Sequence, residues 1–179
     1  MPAVRELVRR SVSERVPIDH AERQSIEKFL DEYDRLSDPF SEEADLVHVT
    51  GSAIVIGSRG VVLLKHKRLG LWLQPGGHVD AGETPWDGAR REAEEETGIE
   101  VAFVDIDEVL GVPRLAHVDV HQASRGHTHL DLRYVLRGGD ADPAPPAGES
   151  QDIGWFGWEE AIQKASDDRL KSALASLRP

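Results

Sequence analysis

Apolar residues first recur at helical spacing after His20. Ile26, Phe29, Leu30, Tyr33 and Leu36 fall three or four apart, with Glu27, Lys28, Asp31 and Glu32 between them, which predicts an amphipathic helix. Ser37-Asp38-Pro39 ends it, and an acidic link runs from Ser41 to Asp45. Ahead of this helix, residues 1–19 show only weak periodicity and a break at Pro17. From His48 to Ile56 the chain turns rich in Val and Ile, a strand composition. Gly57-Ser58-Arg59-Gly60 signals a turn, and Val61 to Leu64 completes a hairpin. Trp72-Leu73-Gln74 is a short apolar stretch stopped by Pro75-Gly76-Gly77.

A strong helix is predicted from about Pro85 to Thr97. Val101 to Val112 reads as strand with charged interruptions. Leu115 to Gln122 and His127 to Arg137 form a predicted hairpin around Ser124-Arg125-Gly126. Gly138 to Gly148 is a Pro/Ala/Gly loop, Ile153 to Phe156 a last strand, and Trp158 to Ala165 and Asp168 to Leu177 are terminal helices. Strands and helices mix without regular alternation. That predicts an α/β sandwich on a mixed sheet rather than a doubly wound one.

Composition narrows the function classes. Of 179 residues, 39% are hydrophobic and 30% charged, an ordinary soluble balance. No apolar run approaches the roughly 18 residues a membrane helix needs. Met1 to Glu6 carry no apolar core or small-residue cleavage pattern, so the expected location is the cytoplasm. Cysteine is absent, which removes disulfides, thiolate metal sites and a cysteine nucleophile. The net charge of −12 argues against a nucleic-acid partner. An acidic protein that handles a phosphate ester needs a bound cation to attract it.

The helix ahead of Gly98 carries such chemistry. Thr84 suits the N-cap, Pro85 the first helical position, Asp87 the capping-box acid and Gly98 the position past the end. Glu92, Glu95 and Glu96 share one face by their i, i+3, i+4 spacing, beside an apolar face of Trp86, Ala89 and Ala93. Three carboxylates so close repel one another, and a hard cation such as Mg²⁺ or Mn²⁺ would relieve that. Alone, the three would read as a solvated acidic face.

Their surroundings change this. Gly77, Glu83, Arg91, Glu92, Ala93, Glu95, Glu96, Gly98 and Ile99 fit the pattern G-x5-E-x7-R-E-U-x-E-E-x-G-U, with U apolar, at every fixed position. The chain here resembles the Nudix hydrolases, a MutT-like family. The resemblance implies a Nudix-type α/β/α sandwich over residues 46–179, preceded by a helical extension over residues 1–45. It implies metal binding by Glu92, Glu95 and Glu96, with Glu92 and Glu96 the firmer pair, and by the backbone carbonyl of Gly76. Arg91 matches the family's orienting arginine and would hold Glu83, which touches metal through water. The implied reaction is Mg²⁺-dependent hydrolysis of a diphosphate bond in a nucleoside diphosphate linked to another moiety, by water attack on phosphorus. Relatives place the general base either within the motif or in a loop before the final strand. Here Glu95 and Glu149 are equal candidates, because Glu149 stands in such a loop six residues before Trp155. An ordinary glutamate, with a pKa of about 4.3, needs its neighbours to raise it.

Other residues are candidates for substrate. Lys65, His66, Lys67 and Arg68 form the densest basic cluster, in a region where relatives bind phosphate, and strand alternation would separate Lys65 and Lys67 from His66 and Arg68. His117, Asp119 and His121 alternate, as do His127, His129 and Asp131. Across a hairpin they would make a substrate pocket or polar face, with His129 and Asp131 reaching substrate. A zinc site is the more demanding alternative. Trp86 and Trp155 read as core. Three rivals remain. A prenyl diphosphate isomerase of this fold needs a cysteine. A regulatory, non-catalytic Nudix module commonly loses motif carboxylates that are intact here. A generic acidic protein leaves the Gly, Arg and Pro positions unexplained. The extension's apolar stripe would pack on the core, cover the site or build a homodimer interface.

Overall fold

A computed structural model of the chain describes residues 2–179; Met1, where the reading of the amino-terminus begins, lies outside the described residues. Two helices lead, α1 (Pro2–Ser13) and α2 (His20–Tyr33). Then come β1 (Val47–Gly57), β2 (Gly60–Lys65), β3 (Trp72–Leu73), β4 (Gly76–His78) and α3 (Pro85–Thr97). The second half holds β5 (Val101–Phe103), β6 (Ile106–Asp107), β7 (Val112–Pro113), β8 (Leu115–Gln122), β9 (Thr128–Gly138), β10 (Ile153–Phe156), α4 (Trp158–Lys164) and α5 (Asp168–Leu177). Among the described residues no helix is long and apolar enough to cross a membrane.

The sheet is mixed, as expected. Its main path runs β10-β2-β1-β9-β5, with β3 beside β2, β4 beside β1 and β8 beside β9. β1 and β9 pair in parallel from Val47–Thr128 to Ile56–Arg137, and every other pairing is antiparallel. β1 is buried on both faces along most of its length, which suits its Val/Ile-rich run. One face carries Val49, Ala53, Val55, Leu130 and Leu132 into a core shared with α1, α2 and α3. The other carries Ile54, Val61 and Leu63 against α4 and α5. The result is an α/β/α sandwich.

The extension packs on the core and closes a sheet edge. Val8 and Val12 of α1 and Phe29 and Tyr33 of α2 are buried. Glu22 is fully buried; it accepts from Arg15 Nε at 2.9 Å, Ile18 N at 2.7 Å and, across 96 residues, Val118 N at 3.0 Å. Ser25 Oγ accepts from Val120 N at 3.3 Å. These contacts satisfy outward N–H groups of β8, which is otherwise an exposed edge.

Residues 2–13 are helical, in line with the expected helical extension, although Val4, Val8 and Val12 form a stripe one residue wide that adjacent arginines obscure. Two local expectations need correction. The stretch 101–113 is three short strands interrupted by a turn at Glu108–Gly111, where Asp107 Oδ1 accepts from the N–H groups of Val109 and Leu110. The strand β2 ends at Lys65, so alternation does not separate the residues of the basic cluster.

Candidate active site

The ends of α3 form as the sequence predicts. Thr84 Oγ1 accepts from Asp87 N at 3.1 Å, and Asp87 Oδ2 accepts from Thr84 Oγ1 at 2.6 Å. Gly98 closes the helix at φ 68°, its N–H bonded to Glu94 O at 2.8 Å. A Cβ at Gly98 would lie 2.2 Å from Ala144 O, so both conformation and space demand glycine. Ala89 and Ala93 are buried against β1, and Trp86 packs on the same core. That seating turns Glu92 and Glu96 toward β4 and leaves Glu95 exposed.

Arg91 organises the carboxylates. Its Nε and Nη2 donate to Glu83 Oε1 and Oε2 at 3.0 and 3.1 Å, a two-pronged pair. Nη1 donates to Glu92 Oε1 at 2.9 Å and Glu95 Oε2 at 3.1 Å, and Nη2 also reaches His78 O at 3.0 Å. Burial pushes Glu83 up, but Arg91 and the Asp80 N–H outweigh it and hold Glu83 below the usual range. Glu92 is raised, burial outweighing Arg91. Glu96 is raised to about 7 by burial, with Glu92 and Glu149 adding repulsion. Its Oε2 accepts from Gly76 N at 2.9 Å, so Gly76 meets this site through its N–H. A Cβ on Gly77 would meet Glu92 Oε1 at 2.5 Å, which explains glycine where β4 crosses the helix. Glu92 and Glu96 are thus half-buried carboxylates whose pKa values are raised first by burial and then by neighbouring carboxylates. Such an oxygen-only donor set fits a hard divalent cation.

The basic cluster and Glu149 meet. Lys65, His66, Lys67, Gly70, Glu149 and Ser150 are among the residues lining a pocket of about 510 Å³. Lys67 Nζ lies 3.3 Å from Glu149 Oε2 and hydrogen-bonds Gly148 O. Ser150 Oγ donates to Lys65 O at 2.7 Å, pinning the loop to the strand end. Glu95 is more exposed and held by Arg91. Arg68 sits on the exposed turn after Lys67, outside the pocket lining.

The histidine–aspartate hairpin arranges itself differently from expectation. Asp131 is buried and accepts from Thr50 Oγ1 at 3.0 Å, Ser52 Oγ at 2.8 Å and Arg133 Nε at 3.2 Å. Arg133, buried itself, also bonds Asp119 at 3.0 Å and Asp167 at 3.3 Å. Asp131 and Asp119 are therefore bonded internally, and Asp131, expected to reach substrate, is buried among Thr50, Ser52 and Arg133. His117 is buried, and burial and the Arg133 charge lower its pKa to about 4. His129 instead meets His48 and His78, which sequence reasoning did not single out. Polar residues at alternate positions of β1, His48, Thr50 and Ser52, were the available signal. His78 occupies a position the motif leaves free.

A family model described as NUDIX domain matches residues 46–176. Nudix hydrolase 6 of Arabidopsis thaliana is 46% identical over 57 residues, 32% of this chain and 17% of that protein. The asymmetrical bis(5'-nucleosyl)-tetraphosphatase of Rattus norvegicus is 32% identical over 104 residues, 58% of this chain and 67% of that protein. Against Nudix hydrolases 6 and 2 of the plant, the chain spans 17% and 40% of their length. A Nudix-family hydrolase structure from Clostridium perfringens superposes with TM-score 0.61 at 25% identity, covering 73% of this chain and 98% of that one.

Proposed function

Because the chain belongs to the Nudix hydrolase family, we propose that it uses Mg²⁺ or Mn²⁺ to hydrolyse a diphosphate bond in a small nucleoside diphosphate derivative. The observation that carries this is the half-buried Glu92–Glu96 pair, held by Arg91 and Gly76 and electrostatically coupled to Glu149 of the lysine-lined pocket. Glu92, Glu96 and Glu95 would hold the cation, which polarises phosphoryl oxygens and offsets charge on the leaving phosphate. Arg91 keeps Glu83, Glu92 and Glu95 in place. Lys65 and Lys67 bind phosphate oxygens in the pocket. Water attacks one phosphorus, its proton passes to a carboxylate, and the bridging P–O bond breaks with its electron pair on the leaving phosphate.

Glu149 is the better-placed base of the two candidates. It lines the pocket that the lysines wall, whereas Glu95 is tied to Arg91 at the helix surface. Phosphate drawing Lys67 away from Glu149 would leave that carboxylate free to accept the proton. The rat relative's name makes dinucleoside polyphosphates one natural substrate class to examine. The test is phosphate release from dinucleoside polyphosphates, ADP-ribose, nucleoside triphosphates and triphosphate-ended RNA, with and without Mg²⁺. Mg²⁺-dependent turnover of at least one small nucleotide is expected. Folded, metal-loaded protein that turns over none would overturn the assignment in favour of a binding module.

A further inference from the structure

Five histidines gather at one end of the polar sheet face, a grouping that the hydrolysis proposed above leaves without a role. His48 of β1 is the register partner of His129 of β9, which is the partner of His121 of β8, so three imidazoles stand in one cross-strand row. His78 of β4 comes alongside, opposite Thr50, and His127 precedes β9. The His48 ring centroid lies 5.1 Å from that of His78, 5.2 Å from His127 and 5.1 Å from His129. One ligand atom each from His48, His78 and His129 fall within 4.8 Å of one another. Glu42, His48 and His127 form a second such set, and His48 belongs to both.

The chemistry of His48 points to a ligand. The residue is 1% exposed. Its Nδ1 stands 3.3 Å from Asp45 O, an acceptor, so the proton belongs on Nδ1. Nε2 then carries a lone pair, and it is buried with no hydrogen-bond partner. A ring whose far N–H is fixed by a backbone carbonyl, with the other nitrogen bare, is the arrangement of a metal-ligating histidine. A buried polar atom with nothing to bond destabilises the fold unless something binds it.

We propose that His48, His78 and His129 form a second metal site, distinct from the glutamates of α3, that takes a first-row transition ion of the Zn²⁺ kind. Imidazole nitrogens favour such an ion over Mg²⁺. Zinc holds imidazole nitrogen at about 2.0–2.1 Å, usually in a tetrahedral set. Glu42, 3.3 Å from His78 Nε2, and His127 stand where a fourth ligand or a supporting hydrogen bond is needed. The His78 side chain is 43% exposed, which leaves an entry path. The ion would tie the beginnings of β1 and β9 to the end of β4, where His78 O receives Arg91.

The full chain is loaded with Zn²⁺, dialysed against excess Mg²⁺, and its zinc measured by atomic emission; Co²⁺ is then substituted. One retained zinc is expected, and an intense visible Co²⁺ spectrum typical of a four-coordinate nitrogen site. His48→Gln and His78→Gln should each lose both signals, while the double variant Glu92→Gln/Glu96→Gln keeps them. His78→Gln guards against misfolding, since that ring is partly outside the core. Zinc retained by the histidine variants, zinc lost from the glutamate variant, or no zinc retained by the unaltered chain would each overturn the proposal.

Discussion

At the scale of the residue, the proposed reaction would give the cation to Glu96 and the proton to Glu149. Replacing the proton acceptor typically costs about 10²–10⁴-fold in rate. Glu149→Gln should lower kcat by that range with little change in KM, and Glu95→Gln should have the smaller effect. The reverse ranking in steady-state kinetics would move the base to Glu95. Glu96 has a pH signature. Its folded pKa is about 7 against an ordinary 4.5, so the folded state binds its proton more tightly than the unfolded. Its contribution to stability is complete below about pH 4.5 and is lost as pH rises through 7, by at most about 3 kcal/mol. Metal-free protein should therefore lose stability over that window. Mg²⁺ should restore it above pH 7, and Glu96→Gln should flatten the dependence. Thermal melts across pH, with and without Mg²⁺, measure this. The grouping of Glu92 with Glu96 was legible in the sequence because one helix face sets their spacing, and Arg91 was legible only through the family motif. Glu149 was legible only through the family's loop. His48 and His78 were not, because their meeting depends on strands brought together from distant parts of the chain.

At the scale of the element, α3 was the most legible piece because its caps, apolar face and chemistry all agree. Gly98→Ala should cost about 2 kcal/mol or more, since alanine resists φ 68° and its Cβ would meet the Ala144 carbonyl. The loss should appear as a lower urea midpoint with an unchanged slope. The short strands β5, β6 and β7 were blurred into one because each holds only two or three residues, too few for a period to emerge. The helix α1 was obscured for a related reason, its valines lying a full four residues apart among charged neighbours.

At the scale of the whole molecule, sandwich class and strand mixture followed from the order of elements, and the hairpins β1–β2 and β8–β9 from their turns, but the pairings between distant strands did not. Nothing local sets the parallel register of β1 with β9, because it joins segments about eighty residues apart, as in the Thr50–Asp131 bond. Nor did the apolar stripe of α2 name its partner. The buried Glu22 answers that, and it makes the extension part of the fold. A chain lacking residues 1–45 should expose the β8 edge and the apolar face beneath α2, and should aggregate or melt well below the intact chain by light scattering and circular dichroism. A truncated chain equal in stability to the full one would show that the extension is dispensable.

The long separation of those partners also bears on how the chain assembles. During synthesis α1, α2 and β1 leave the ribosome well before their partners: β9 follows β1 by about eighty residues, and the part of β8 that meets Glu22 follows it by 96. Until then β1 is an apolar strand with one side unpaired, and the α2 carboxylate has no strand to cap. Closing such distant contacts is slow. The interval before β9 arrives is when this protein is most exposed to misassociation, and when a chaperone would have most to hold.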